Sequence, residues 1–135
     1  MSKELAKTIA TLLSVSLLTA CAGEVGSSSE EKAQYVQITQ AEAKAIIDSD
    51  EEYVILDVRT EEEYAAGHIE GAVLIPDFEI ADRAETELPD KDMLILVYCR
   101  SGNRSKTASE KLASLGYTNV KEFGGIKDWI YGTVQ

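Results

Sequence analysis

Two nearly uninterrupted apolar runs constrain the fold of this chain more than any other feature of its sequence. They cover residues 53–58 and 93–98, and only Asp57 interrupts the first of them. A strand with one face in water alternates apolar and polar residues, whereas a strand of a parallel sheet that is covered on both faces is apolar throughout. The two runs therefore predict central strands of a buried parallel sheet.

Shorter apolar segments predict three further strands, and helix signals stand between the strands. Threonine precedes glutamate by three residues at Thr39 and again at Thr60, which is the pattern of a capping box at a helix start. The three glutamates after Thr60 suit the positive end of a helix rather than a metal site. The further strands are predicted at residues 35–38, 72–75 and 120–123.

The segment after the second apolar run predicts another helix. Ala108, Leu112 and Leu115 form a stripe with helical spacing, and Gly116 is a C-terminal stop signal. A last helix is predicted over residues 126–130. Strands that alternate with helices indicate an α/β domain with a mainly parallel sheet, in which ligands bind at the carboxyl ends of the strands.

Cys99 stands at such a strand end, and a basic loop over residues 100–105 leads from it into the next helix. Unpaired N–H groups at a helix start and two guanidinium groups attract negative charge. We therefore expect a thiol at the mouth of an anion-binding loop, present largely as the nucleophilic thiolate. The competing interpretation, a structural cysteine that fills space, does not account for the basic loop.

The two arginines of the loop are the predicted ligands for an anionic substrate. Arg100 is expected to hold two oxygens of the substrate, because a planar guanidinium presents a fork of N–H groups. Arg104 is expected either to do the same or to turn back and pair with a carboxylate such as Asp57.

The other loop residues are expected to shape the anion site. Gly102 is expected to adopt a positive φ or to bring the backbone close to the ligand. Ser101 contributes its amide to the same row of N–H groups. Asn103 and Ser105 are expected to be turn and capping residues rather than chemical participants.

Polar residues elsewhere are predicted to support the site. Asp57 and Arg59 follow a buried strand, and we expect them to form a structural ion pair rather than to act in acid–base catalysis. His68 is the only histidine of the chain. We expect it to fix a turn through hydrogen bonds, and a catalytic role is the alternative.

The N-terminal segment predicts export. Lys3 and Lys7 precede an apolar stretch that ends at residue 20 and is too short for a transmembrane helix of about twenty residues. This pattern is typical of a secretory signal peptide, and the alternative is an uncleaved apolar helix. The residues before Cys21 resemble the lipobox of bacterial lipoproteins, which implies that Cys21 is lipidated and becomes the mature N-terminus.

These patterns predict three parts of the chain: a signal peptide at 1–20, a lipidated cysteine with a flexible tether at 21–34, and one folded domain at 35–135. They also predict a protein of the cell envelope, anchored by its lipid to a membrane on the periplasmic or other extracytoplasmic side. The formal net charge of −11 argues against nucleic acid as a partner. If Cys21 is lipidated, Cys99 has no disulfide partner, which favours a reactive thiol.

Four segments, taken together, resemble the rhodanese domain. They are Ile-Leu-Asp-Val-Arg at 55–59, Gly-His-Ile-Glu-Gly-Ala-Val at 67–73, Tyr-Cys-Arg-Ser-Gly-Asn-Arg-Ser at 98–105, and Gly124-Gly125 with Trp129. The resemblance covers residues 35–131, whereas residues 77–90 match no motif. It implies a rhodanese-like α/β fold, with a five-stranded, mainly parallel sheet and helices on both faces.

The resemblance also implies a reaction. A rhodanese is a sulfurtransferase, in which the cysteine corresponding to Cys99 takes a sulfur atom from an anionic donor such as thiosulfate. The resulting persulfide passes the sulfur to cyanide or a thiol. No metal and no organic cofactor are implied.

Two alternatives to the enzyme remain open. A rhodanese domain can be a persulfide carrier or a partner-binding module with little turnover, which implies a sulfur-accepting protein as partner. The Cdc25-like phosphatases and arsenate reductases share the fold. Their loop is one residue longer than the four residues that separate Cys99 from Arg104, so the loop length here disfavours that activity.

Overall fold

The computed structural model describes residues 34–135. The predicted signal peptide, Cys21 and the predicted tether up to residue 33 lie outside these residues. The described chain contains strands β1 (Val36–Gln37), β2 (Val54–Asp57), β3 (Val73–Leu74), β4 (Ile95–Cys99) and β5 (Val120–Gly125), with helices α1 (Gln40–Ile47), α2 (Glu61–Ala66), α3 (Ile80–Glu87) and α4 (Asn103–Ser114).

The five strands form one sheet in the order β1-β5-β4-β2-β3, and every pairing is parallel. The two apolar runs become β2 and β4, which lie side by side, and β4 is the central strand. The predicted α/β fold with a five-stranded parallel sheet is therefore confirmed. Because all strands run in one direction, the carboxyl ends of β2, β4 and β5 meet at one edge of the sheet.

Both faces of the sheet are covered, which explains why the central strand is apolar throughout. Every residue of β4 has 0% of its surface exposed. Ile95, Val97 and Cys99 belong to the core on the side of α3 and α4, whereas Leu96 and Tyr98 belong to the core on the side of α1 and α2. Removing these side chains from water is the main stabilising contribution to the fold.

Both predicted capping boxes are present. The Thr39 hydroxyl accepts a hydrogen bond from the Glu42 amide at 3.0 Å, and the Glu42 carboxylate accepts one from the Thr39 amide at 3.0 Å. Thr60 and Glu63 make the same pair of contacts at 3.2 and 3.1 Å. These contacts satisfy N–H groups that a helix start leaves unpaired, and they fix where α1 and α2 begin.

The prediction of a helix over residues 126–130 is wrong. Only a 3-10 turn, Ile126–Asp128, is formed. Trp129 then takes an extended backbone with φ −80° and ψ 119°. This conformation brings the Trp129 ring against Phe123, with 5.5 Å between ring centroids. Packing of one large aromatic side chain therefore overrides the weak helical signal.

Residues 77–90, which match no motif, contain a 3-10 turn, Asp77–Glu79, followed by α3. Ile80, Ala84 and Leu88 are buried and follow one another at intervals of four, which is a helical stripe. None of the helices between residues 34 and 135 has the length and apolar character needed to cross a membrane.

Candidate active site

Cys99 is the last residue of β4, and its thiol is completely enclosed, with 0% of the residue exposed. The Gly102 amide donates a hydrogen bond to Sγ at 3.0 Å. The Ser105 hydroxyl oxygen lies 3.4 Å from Sγ. The sequence predicts a thiol at the mouth of the loop, whereas the structure buries Cys99 with loop residues in contact with its sulfur.

The turn that aims the Gly102 amide at the sulfur depends on glycine. Gly102 has φ +109° and is the N-terminal cap of α4. This left-handed backbone conformation is costly for a residue with a Cβ. The sulfur consequently faces the positive end of a 12-residue helix, where negative charge is stabilised.

The loop also needs a glycine in the neighbouring strand. Cys99 pairs with Gly125 of β5 in the sheet. A Cβ built on Gly125 would overlap the backbone carbonyl group of Arg100. The Lys127 amide donates a hydrogen bond to that carbonyl at 3.2 Å. The end of β5 therefore holds the first turn of the loop in place.

The two arginines of the loop have different surroundings. Arg100 is exposed, and among residues 34–135 no carboxylate lies within 4.0 Å of its guanidinium. Arg104 turns back, as one of its two predicted roles requires. Its partner is Glu63 of α2 rather than Asp57, with two parallel hydrogen bonds of 2.9 and 3.0 Å.

The Glu63 carboxylate therefore has two functions at once. It closes the capping box of α2 and anchors the first turn of α4 through Arg104. The hydrogen bond from Arg104, together with those from Thr60, lowers the pKa of Glu63 from its ordinary value of 4.5 to about 2, although burial opposes the shift. The carboxylate is thus ionised throughout the neutral range, and it keeps Arg104 beside the Cys99 loop.

Asp57 lies at the carboxyl end of β2 and is paired with Arg59. The Arg59 guanidinium donates to Asp57 through Nη2 at 2.7 Å, and the Tyr98 hydroxyl donates to the same carboxylate at 2.6 Å. Burial, followed by the hydrogen bond to Asp57, raises the pKa of Tyr98 above its usual range. The hydroxyl therefore remains a neutral donor, and the cluster ties the ends of β2 and β4 together.

His68 lies in a turn beside this cluster. Its Nδ1 is 2.9 Å from the Tyr64 carbonyl oxygen, and its ring stacks on the Tyr64 ring with 3.7 Å between centroids. The backbone of His68 exchanges two hydrogen bonds of 2.8 Å with Val134. These contacts fix the turn, and none of them involves the Cys99 loop.

The remaining predicted loop residues divide into two groups. Ser101 and Asn103 are exposed on the outside of the loop, and Asn103 begins α4. Ser105 is completely buried. It was expected to cap the helix, but Gly102 occupies the cap position and the Ser105 hydroxyl faces the Cys99 thiol instead.

Glu122 is a site residue that the sequence motifs do not indicate. It lies in β5 with 2% of its surface exposed. Its Oε2 accepts hydrogen bonds from the Ser105 hydroxyl at 2.5 Å and from the Gly124 amide at 2.9 Å. The sequence does contain one signal for its burial. Alternate residues of a strand lie on the same face, so Glu122 shares a face with the apolar residue Val120.

A cavity of about 420 Å³ borders the loop at Ser101 and Gly102, and Lys106 and Glu122 also line it. A second cavity of about 540 Å³ is lined by no residue of the loop. Within residues 34–135, no three His, Cys, Asp or Glu side chains come together in a group that could hold a metal ion.

The model of the rhodanese-like domain matches residues 39–131, which include the strand, the loop and the paired glycines described above. The chain belongs to the rhodanese-like domain family. The structure agrees with this assignment, because the solved rhodanese from Escherichia coli that was determined with anions is 40% identical and superposes with a TM-score of 0.58. That comparison covers 62% of this chain and 98% of the E. coli chain.

Curated relatives of this rhodanese-like chain are named for sulfur chemistry. The thiosulfate sulfurtransferase PspE of Escherichia coli K12 is 44% identical over 73 residues, which are 54% of this chain and 70% of PspE. The putative sulfur carrier protein YrkF of Bacillus subtilis 168 is 39% identical over 103 residues, which are 76% of this chain and 55% of YrkF. The chain thus spans about half the length of YrkF. The relatives support sulfur transfer as the activity of this chain.

Proposed function

We propose that this rhodanese-like protein takes sulfur from thiosulfate or a related anionic donor and carries it as a persulfide on Cys99. The observation that supports this most directly is the hydrogen bond from the Gly102 amide to Sγ at the start of α4. An N–H group in this position stabilises negative charge on sulfur, both in the attacking thiolate and in the persulfide anion.

The proposed reaction has two steps. The Cys99 thiolate attacks the outer sulfur of thiosulfate, a new sulfur–sulfur bond forms, and the bond to the sulfonate breaks so that its electron pair leaves with sulfite. An acceptor such as cyanide or a thiol then attacks the outer sulfur of the persulfide, and Cys99 is released as thiolate. Dividing one transfer into two steps through a nucleophile is covalent catalysis.

Arg100 is the proposed ligand for the sulfonate of the donor. Arg100 is an exposed residue of the loop, whereas the guanidinium of Arg104 already makes two hydrogen bonds to Glu63. We expect Arg100→Ala to raise the KM for thiosulfate about tenfold and to leave transfer from a preformed persulfide nearly unchanged. Steady-state kinetics and single-turnover transfer to cyanide measure the two effects. An unchanged KM would remove Arg100 from the donor site.

Mass spectrometry of the intact protein tests the persulfide. After treatment with thiosulfate, the protein should gain the mass of one sulfur atom, and peptide mapping should locate it on Cys99. Cys99→Ser should gain nothing and should produce no thiocyanate from thiosulfate and cyanide. Full activity in Cys99→Ser would rule out the mechanism.

A carrier with little turnover is the second candidate. The complete burial of Cys99 and the similarity to a protein named as a putative sulfur carrier favour it. Enzyme and carrier both form the persulfide, so steady-state thiocyanate production separates them. A carrier would give one equivalent of transferred sulfur and then continue only slowly.

We also propose that the chain is lipidated on Cys21 and held at a membrane of the cell envelope. The support is the sequence pattern before Cys21 alone. Expression in a bacterial host with labelled fatty acid should label the full chain, and Cys21→Ala should abolish the label. Labelling of Cys21→Ala at the level of the unchanged chain would contradict the proposal.

A further inference from the structure

Gln40 is a half-buried residue at the carboxyl edge of the sheet that the proposed reaction does not use. It is the first residue of α1, and the capping box of Thr39 and Glu42 fixes where that helix begins. The Gln40 side-chain amide donates to the Gly125 carbonyl oxygen at 2.8 Å and to the Phe123 carbonyl oxygen at 3.3 Å. A glutamine amide has two hydrogens, so one side chain supplies both hydrogen bonds. The start of α1 is thereby tied to the end of β5.

The two carbonyl groups belong to a β-bulge in β5. In the pairing of β4 with β5, Val97 faces Glu122, and Cys99, two residues later, faces Gly125, three residues later. β5 therefore contains one extra residue in this stretch, where Gly124 has φ +95°. The extra residue of a bulge has no partner in the sheet and bends the strand. The bulge thus sets which residue of β5 lies opposite the thiol.

Strand β1 ends before the bulge, and Gln40 continues its contacts along β5. The Gln37 side-chain amide donates to the Glu122 carboxylate at 3.3 Å, and the Ile38 amide donates to the Glu122 carbonyl oxygen at 2.9 Å. Both contacts end at Glu122, whereas the hydrogen bonds from Gln40 reach the bulge itself. A side chain supplies there the donors that a longer β1 would supply from its backbone.

The bulge packs in turn against the residue whose amide contacts the sulfur. The Cα of Gly124 lies 3.6 Å from the position that a Cβ on Gly102 would take. A Cβ on Gly124 would lie 3.4 Å from Nε2 of Gln40. Gly124 is therefore close both to the Gln40 amide and to Gly102, which donates to Sγ of Cys99 at 3.0 Å. A movement of the bulge would change the support of the Gly102 amide.

We infer that Gln40 is a positioning residue for sulfur transfer, which holds the bulge of β5 against Gly102 so that the Gly102 amide points at the Cys99 sulfur. The inference rests on the proposed function, in which that amide stabilises negative charge on sulfur. A hydrogen-bond donor acts in this way only when it is held in the right direction. Loss of the Gln40 hydrogen bonds should therefore slow the reaction at sulfur without weakening the binding of the donor.

Gln40→Met tests the inference, because methionine keeps the length of the side chain and donates no hydrogen bond. Hydrogen exchange, followed by NMR on the full chain, should become about tenfold faster at the Gly102 amide and stay unchanged in α3. Single-turnover sulfite release at saturating thiosulfate should fall about tenfold, and the thiosulfate concentration that gives half the maximal rate should stay within about twofold. This division is the reverse of the one expected for Arg100→Ala.

Gln135→Met is the matched control. The Gln135 side-chain amide donates to the Ala66 carbonyl oxygen at 3.1 Å, so this variant removes the same kind of hydrogen bond from the end of α2 instead of from the bulge. It should change neither the exchange of the Gly102 amide nor the rate of sulfite release. Equal changes in the two variants would overturn the inference, because they would show a general loss of stability.

In a protein that releases sulfite, unchanged exchange at Gly102 or an unchanged maximal rate in Gln40→Met would overturn the inference. A raised half-saturating concentration at an unchanged maximal rate would also overturn it, because Gln40 would then bind the donor. If circular dichroism shows that Gln40→Met is unfolded, Gln40→Glu decides by the exchange and the maximal rate. Its carboxylate suits the first turn of α1 but donates no hydrogen bond.

The same measurements separate this inference from the proposed function. If the unchanged protein releases no sulfite, the proposed function fails, and the exchange of the Gly102 amide alone decides whether Gln40 positions the loop. If it releases sulfite and Gln40→Met matches it in rate and in exchange, the proposed function stands and the inference fails.

Discussion

Two buried carboxylates stand near the same edge of the sheet, and their surroundings differ. Asp57 at the end of β2 is held by the Arg59 guanidinium and the Tyr98 hydroxyl. Glu122 in β5 receives hydrogen bonds from uncharged groups and faces Ser105, which contacts the thiol. The Asp57 carboxylate therefore holds the ends of β2 and β4 through a buried ion pair, and removing either partner leaves an uncompensated charge. The Glu122 carboxylate holds the region beside the thiol through hydrogen bonds to uncharged groups alone.

Breaking the Asp57 pair should have the largest effect. Asp57→Asn leaves the buried Arg59 charge without its partner, so we expect the free energy of unfolding to fall by about 3–5 kcal/mol. Glu122→Gln should cost less than about 1 kcal/mol, because it leaves no cation unpaired and the Gln37 amide can present its oxygen instead. Urea denaturation of the two variants measures the comparison. Equal losses would show that the two carboxylates have the same structural role.

Gly125→Ala should have the second-largest effect, and this effect should fall on the part of the sheet edge that carries Cys99. The new Cβ would overlap the Arg100 carbonyl group, so the loop must shift. We expect a loss of about 1–3 kcal/mol in unfolding free energy, together with slower persulfide formation. Gly71→Ala is a control for a general loss of stability, since its φ of +85° disfavours alanine but its Cβ would meet no atom within 4 Å. Equal activity losses in both variants would mean that lost stability, rather than the shifted loop, is responsible.

Glu63 connects α2 to the loop that follows Cys99. Its replacement should lower the free energy of unfolding by a smaller amount, and this amount should depend on pH. Its folded-state pKa of about 2 lies below the ordinary value of 4.5. The stability it contributes is therefore fully present above pH 4.5 and is lost as the pH falls towards 2. Glu63→Gln should be about 1 kcal/mol less stable at neutral pH, and the difference should shrink within that window. A difference that stays constant down to pH 2 would contradict the shifted ionisation.

Ser109→Ala should have the smallest effect. The Ser109 hydroxyl is buried without a partner among residues 34–135, so its removal abolishes no hydrogen bond. We expect unfolding free energy to stay within about 0.5 kcal/mol or to rise. Ser105→Ala, one turn earlier in α4, removes a hydroxyl that contacts both Glu122 and Cys99 and should cost more. Thermal unfolding of the two variants compares them, and equal costs would mean that the Ser105 contacts add nothing to stability.

Much of the fold can be predicted from the sequence because its signals are local. Continuous apolar runs and threonine–glutamate pairs set β2, β4 and the starts of α1 and α2 within the chain segments themselves. The turn after β5 could not be predicted in this way. There the contact between Trp129 and Phe123 decides the backbone, and the distance between those rings is set by tertiary packing.

The same distinction between local and long-range signals applies to the candidate site. Cys99, Gly102 and the basic loop could be found from one continuous stretch of sequence. The partners of Arg104 and Ser105 could not, because Glu63 is 41 residues away in the chain and Glu122 is 17 residues away. Both meet the loop only through the strand order of the sheet. A carboxylate in a strand also resembles an ordinary solvent-facing residue until burial is known.

Because Cys99 has 0% of its surface exposed, a donor or an acceptor can reach the sulfur only when groups around it move. If Cys99 carries the proposed persulfide, a movement that admits the acceptor also admits an oxidant such as peroxide. Fast delivery and resistance to over-oxidation would then be opposing demands on the same loop.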